Sequence, residues 1–125
     1  NDIIDFGRIR SNKFEKRETL FDVSEAVEEV LQVQYLQAKS KGISLAVDYK
    51  NFGGDNYALI GDQQRLQQVL MNLLSNALKF TAKGTVKIKL RLSYDPDVGS
   101  WSLITSVRDS GAGMTMSEKS KLFRL

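Results

Sequence analysis

The stretch Gln68–Thr81, QVLMNLLSNALKFT, constrains this chain more than any other. Its apolar residues recur at helical spacing, as in a helix laid against a core. With Asp62 as N-cap, the helix runs from about Gln63 to Phe80 and ends in TAKG. At about 100° per residue, Leu66, Val69, Leu70, Leu73, Ala77 and Phe80 fall together, and Met71, Leu74 and Leu78 widen the apolar arc. Arg65, Gln68, Asn72, Asn76 and Lys79 form a narrow polar stripe directly beside it. An ordinary solvated face would account for that stripe. Solvated faces, however, favour Glu and Lys, and asparagine is a poor helix former. Two amides one turn apart offer directional carbonyl acceptors suited to a hard cation such as Mg²⁺. A lysine further along meets an anion as a point charge. Spacing alone leaves both readings open.

The flanking segments alternate between strand and helix patterns. Leu20, Phe21 and Val23 in ETLFDV read as a short strand. Asp22 then caps a helix through SEAVEEVLQVQYLQAKSKG, with Glu25 completing a capping-box pattern. Its stripe holds Ala26, Val27, Val30 and either Val33 or Leu31 with Gln34, continuing to Leu36 and Gln37. Lys39 and Lys41 suit the last turn, and Gly42 is the expected left-handed stop. Ile43, Leu45, Val47 and Tyr49 alternate as a half-buried strand, and YALIG forms a second short one. Val86, Ile88, Leu90 and Leu92 alternate with Lys87, Lys89, Arg91 and Ser93 as a one-sided antiparallel strand. DPDVGS makes a hairpin loop, and WSLITSVRD returns with Trp101, Leu103, Thr105 and Val107 on one face. SGAGM is a tight loop, and SEKSKLFRL reads as the start of another helix. This order predicts one α+β domain: a two-layer α/β sandwich with helices on one face of a mixed, mostly antiparallel sheet.

Composition removes several chemistries. There is no cysteine and no histidine among the 125 residues. Thiolate sites, cysteine nucleophiles and imidazole bases or ligands are therefore excluded. Absence of cysteine favours an intracellular setting. Net charge is +3, with the excess near Arg8, Arg10, Lys13, Lys16 and Arg17 but interrupted by Glu15 and Glu18. That is a solvated helix end rather than a nucleic-acid face. The first residues carry no signal-peptide pattern and no initiator Met, so the chain reads as a piece of a longer one.

A second signal is DSGAGM, where Asp109 closes a strand and Gly111 and Gly113 permit close approach of a ligand. It lacks the pattern of a dinucleotide fingerprint or a P-loop. Together, GDQQRLQQVLMNLLSNALKFT and DSGAGM resemble the asparagine-containing box and first glycine box of sensor histidine kinases. KLF resembles the start of the phenylalanine box. IIDFGRIRSNKFEKRETLFDV resembles the end of the dimerisation helix. The resemblance covers nearly the whole chain, placing the end of that helix and a linker at 1–17 and a partial ATP-binding domain at 18–125.

The resemblance implies a Bergerat-type fold binding ATP with Mg²⁺. Asn76 would coordinate Mg²⁺, Lys79 would contact phosphate, and Asn72 would line the same site. Asp109 would accept a hydrogen bond from the adenine amino group. Gly111 and Gly113 would shape the loop, and Phe80 and Met114 would pack near the base. The γ-phosphate would pass to a histidine of the dimerisation domain, outside these residues, and then to a response regulator or receiver domain. The parent is expected to be a homodimer with this domain on the cytoplasmic side, with membrane attachment left open.

In the related gyrase, mismatch-repair and heat-shock ATPases, the position of Asn72 usually holds a water-activating glutamate. An amide cannot act as that base, which favours a kinase. A catalytically inactive scaffold of the same fold and a superfamily ATPase are the alternatives. The second glycine box is not among these residues, so the fold is expected to be incomplete at the C-terminus. Weak nucleotide binding by this piece alone and an unpaired sheet edge are expected with it.

Overall fold

The computed structural model describes residues 18–54, 56–81, 83–110 and 115–122. The expected helix end and linker at 1–17 lie outside them. The elements are β1 (Thr19–Asp22), α1 (Val23–Ser40), β2 (Ile43–Lys50), β3 (Ala58–Gly61), α2 (Gln63–Phe80), β4 (Gly84–Asp95), β5 (Ser100–Asp109) and β6 (Thr115–Leu122). β1 and β3 form a small antiparallel pair, and the main sheet has the order β2-β4-β5-β6. The two-layer α+β architecture is the one the sequence predicts.

Each helix begins where a carboxylate can cap it. Asp22 accepts from the Glu25 amide at 3.1 Å, and Asp62 accepts from the Arg65 amide at 3.1 Å. Each cap satisfies a backbone donor that the first turn leaves unpaired. α1 closes at Gly42, whose φ of +71° is the left-handed conformation. α2 follows the predicted bounds.

The helices run side by side in the same direction. Gln67 of α2 donates to the Ala26 carbonyl at 3.1 Å and to Glu29 at 2.8 Å. Further along, Gln34 of α1 donates to Ser75 at 3.1 Å and contacts the Met71 sulfur. At the far end, the Lys41 ammonium donates to the Leu78 carbonyl. These polar pins explain why Gln34 is buried while Val33 stays exposed, settling the ambiguous part of the α1 stripe. Leu36, also placed in that stripe, is exposed as well.

Beneath the helices, Val86, Ile88, Leu90 and Leu92 of β4 and Leu103 and Val107 of β5 meet Leu66, Leu70, Leu74 and Leu78 of α2 in one core. Each fully buried aliphatic side chain of this kind contributes about 1.5–3 kcal/mol. Lys87, Lys89, Arg91 and Arg108 point to the open face. The core thus fastens α2 by its apolar arc and fixes which edge of the helix remains outside.

The main sheet is mixed and mostly antiparallel, as expected: β4 is antiparallel to β5 and parallel to β2. Both β2 and β4 follow helices of the same direction, so they enter the sheet from the same end. One expectation is corrected: the stretch read as a new helix from Ser117 is strand, and β6 pairs antiparallel with β5 from Arg108↔Thr115 to Trp101↔Leu122. Its Glu, Lys and Ser residues have little strand preference of their own, but the edge of β5 supplies partners for its backbone groups, and pairing overrides local propensity.

Candidate functional site

The polar stripe of α2 emerges on the surface. Asn72, Asn76 and Lys79 are exposed, as are Arg65 and Gln68, while the adjoining Val69, Leu70, Leu74, Ala77 and Leu78 are buried. Asn72 and Asn76 are separated by one turn, about 6 Å along the axis. A groove of about 340 Å³ runs along this edge, lined by Arg65, Gln68, Val69, Asn72 and Leu73. Asn76 and Lys79 lie beyond its end on the same edge. Arg65 and Gln68 line this groove, although in the sequence they stand only as members of the stripe.

Phe80 departs from its place in the apolar arc. It is 60% exposed, and the Lys79 ammonium lies 5.7 Å from its ring centroid. That distance is within cation–π range, and the ring presents an apolar surface beside the lysine.

At the C-terminal end of α2 the chain builds a buried polar corner. Thr81 caps the helix, its amide donating to the Ala77 carbonyl at 2.9 Å. Its hydroxyl donates to Oδ2 of Asp109 at 2.8 Å, and both residues are 2% exposed. The last residue of β5 is thereby tied to the last turn of the asparagine-bearing helix. Thr81 lies five residues past Asn76, about 7.5 Å along the helix, so Asn76 and the Asp109 carboxylate lie toward the same end of α2.

The next residue is tied as well. The Ser110 amide donates to the Thr85 carbonyl at 2.9 Å, and the Thr85 amide donates to the Ser110 hydroxyl at 3.0 Å. Between them, Gly84 has φ of +119°, and a Cβ there would meet the Ser110 hydroxyl oxygen at 2.7 Å. Only glycine meets both demands without displacement.

Of the residues singled out from sequence, Asn72, Asn76, Lys79, Phe80 and Asp109 are gathered along α2 and at its C-terminal end. Gly111, Gly113 and Met114 lie outside the described residues. Thr81 was missed as a site residue: it stands at the end of the quoted helix, but its link to Asp109 spans 28 positions and leaves no periodic trace. Among the described residues, no three His, Cys, Asp or Glu side chains cluster as a metal cage. Asn72 and Asn76 do offer exposed amide carbonyl oxygens, a ligand type that a hard cation such as Mg²⁺ accepts.

Comparison with known proteins accords with this fold. Residues 61–124, just over half the chain, match the family described as histidine kinase-, DNA gyrase B-, and HSP90-like ATPase. The chain is 31% identical over 126 residues to the signal transduction histidine-protein kinase BarA of Escherichia coli K12, covering 99% of this chain and 13% of that protein. It spans 13–14% of the length of the first curated relatives it matches. Among solved structures, full-length ShkA in complex with AMPPNP superposes with a TM-score of 0.60 at 26% identity, over 89% of this chain and 22% of that one. The histidine kinase ThkA, in complex with response regulator protein TrrA, shares the fold at a TM-score of 0.56 and 20% identity, over 86% of this chain and 34% of that one. The chain therefore belongs to the histidine kinase-, DNA gyrase B- and HSP90-like ATPase family, as an ATP-binding domain of the sensor histidine kinase type.

Proposed function

We propose that this domain holds Mg-ATP along the outer edge and C-terminal end of α2 and presents the γ-phosphate to a histidine elsewhere in its parent. The carrying observation is the Thr81–Asp109 hydrogen bond, which joins the end of the asparagine helix to the carboxylate expected to meet adenine. Asp109 accepts from the adenine amino group, and Phe80 offers its exposed ring near the base. Asn76 supplies a carbonyl oxygen to Mg²⁺, Asn72 lines the same edge, and Lys79 meets a phosphate. Gly111, Gly113 and Met114 complete the ATP-binding set in this reading. The metal, when bound, neutralises charge on the phosphates. The chain's own residues position the nucleotide, which is most of what phosphoryl transfer asks of a protein.

A kinase is favoured over a hydrolase because Asn72 has no basic atom to activate water. The receiving partner of the second step is a response regulator or receiver domain, as in the complex of ThkA with TrrA. The parent is a homodimer with this domain on the cytoplasmic side. Among the described residues, no helix is long and apolar enough to cross a membrane.

The test is incubation of the full-length protein with γ-labelled ATP and Mg²⁺. Acid-labile, base-stable label on the protein supports the kinase reading. Phosphate release without protein labelling supports an ATPase, and neither outcome supports an inactive scaffold.

A further inference from the structure

We propose that Thr81 is a positioning residue for base selection, resting on the adenine-nucleotide reading above. A carboxylate selects a base by accepting from a ring amino group, and it rejects a carbonyl at the same place because two acceptors face each other. That selectivity requires the carboxylate to hold its plane. A side-chain carboxylate turns about its terminal torsion over a broad, shallow profile, so something must fix it. The Thr81 hydroxyl, donating to Oδ2 of Asp109 at 2.8 Å, supplies such a restraint. It is itself anchored, because Thr81 caps a helix whose adjoining residues Ala77 and Leu78 are buried.

A second fastening lies one residue on. Ser110 exchanges two hydrogen bonds with Thr85, one through its amide and one through its hydroxyl. Asp109 is thus held through its side chain by Thr81 and through its neighbour's backbone by Thr85. Gly84 lets the two segments approach, since a Cβ there would meet the Ser110 hydroxyl oxygen at 2.7 Å. The turn from α2 into β4 therefore acts as a clamp on the base-reading carboxylate, and Thr81 is its inner jaw.

The clamp makes a prediction that simple loss of structure does not. The affinities of the full-length protein for ATP and for inosine triphosphate, which carries a carbonyl where adenine has its amino group, are measured by calorimetry with Mg²⁺. The wild type prefers ATP. Thr81→Val keeps the shape, loses the hydroxyl, and lowers the ATP-to-inosine ratio about tenfold, the order expected for a hydrogen bond to a charged group. Thr81→Ser restores the ratio.

A merely structural Thr81 would weaken both nucleotides equally, and an unchanged ratio in Thr81→Val overturns the proposal while leaving ATP binding intact. A wild type that binds neither nucleotide, or both alike, overturns the adenine reading itself. Should Thr81→Val fail to fold, Ser110→Ala loosens only the outer fastening. It is expected to lower the ratio about threefold, and an unchanged ratio there counts against the clamp.

Discussion

The two helices of this domain are alike in almost everything except the edge they leave outside. Each has 18 residues, starts at an aspartate cap and has a lysine in its last turn. They run in parallel, and each feeds one of two parallel strands. Yet α1 leaves Val33, Tyr35 and Leu36 exposed, while α2 leaves Asn72, Asn76 and Lys79. The shared features belong to the scaffold: caps, apolar arcs and pins between helices. The difference lies where the nucleotide site is proposed. A helix needs neither amide to pack or to end, so the asparagines of α2 need a reason outside folding.

The first way to break this division is to cut its apolar side. Leu74→Ala removes a fully buried side chain and is expected to cost about 2–5 kcal/mol, read as a lower midpoint in urea. A cost below about 1 kcal/mol would mean that α2 is not fastened as described. The caps come next. Asp22→Ala and Asp62→Ala should each lose about 1 kcal/mol, and alike, if the helices are equivalent as scaffold.

Asp22 also carries a pH signature. The Ser24 hydroxyl and then the Glu25 amide donate to it and hold its carboxyl below the usual aspartate range. A depressed folded pKa adds stability above the unfolded value and loses it as pH falls through the folded one. Acid unfolding of wild type should therefore be slightly steeper below about pH 4 than that of Asp22→Asn.

The same contrast shows how far the sequence could be read. Much that is local was legible: the bounds of α2, both caps, the Gly42 stop and the alternation of β4, although Val23, read into the first strand, opens α1 instead. The larger misses are non-local. Gln34 is buried because Ser75 and Met71 of the other helix receive it, which a stripe drawn on α1 alone does not contain. β6 is strand because β5 offers an edge, although the polar composition of Ser117–Leu122 suggests a helix. Thr81 entered the site only once β5 brought Asp109 beside it. Motifs single out Asn76 and Asp109 in the sequence; the proposed clamp of Thr81 and Thr85 on Asp109 and Ser110 needed three dimensions.

Smaller effects sharpen the account of the sheet. Thr105 is fully buried on β5, and its hydroxyl oxygen has no hydrogen-bond partner among the described residues. Thr105→Val should stabilise the domain by about 1 kcal/mol in thermal or denaturant unfolding. Tyr49, in the aromatic cluster with Phe52 and Tyr57, has its phenol pushed up to about 12 by burial first and by nearby negative charge second. Its raised folded value adds stability below about pH 10 that disappears as pH climbs toward 12. Tyr49→Phe should flatten that alkaline loss, and an unchanged alkaline profile would contradict the burial of the phenol.

The central claim is that the outer edge of α2 serves a nucleotide and not the fold. Asn76→Asp tests it most directly, with transfer of label from γ-labelled ATP to protein measured beside the thermal midpoint of the full-length protein. The account predicts that acid-labile labelling falls at least about a hundredfold, the scale on which loss of one precisely placed electrostatic group acts. The midpoint should shift by no more than the few tenths of a kcal/mol typical of an exposed substitution. Undiminished labelling, or an equal collapse of labelling and stability, would contradict it.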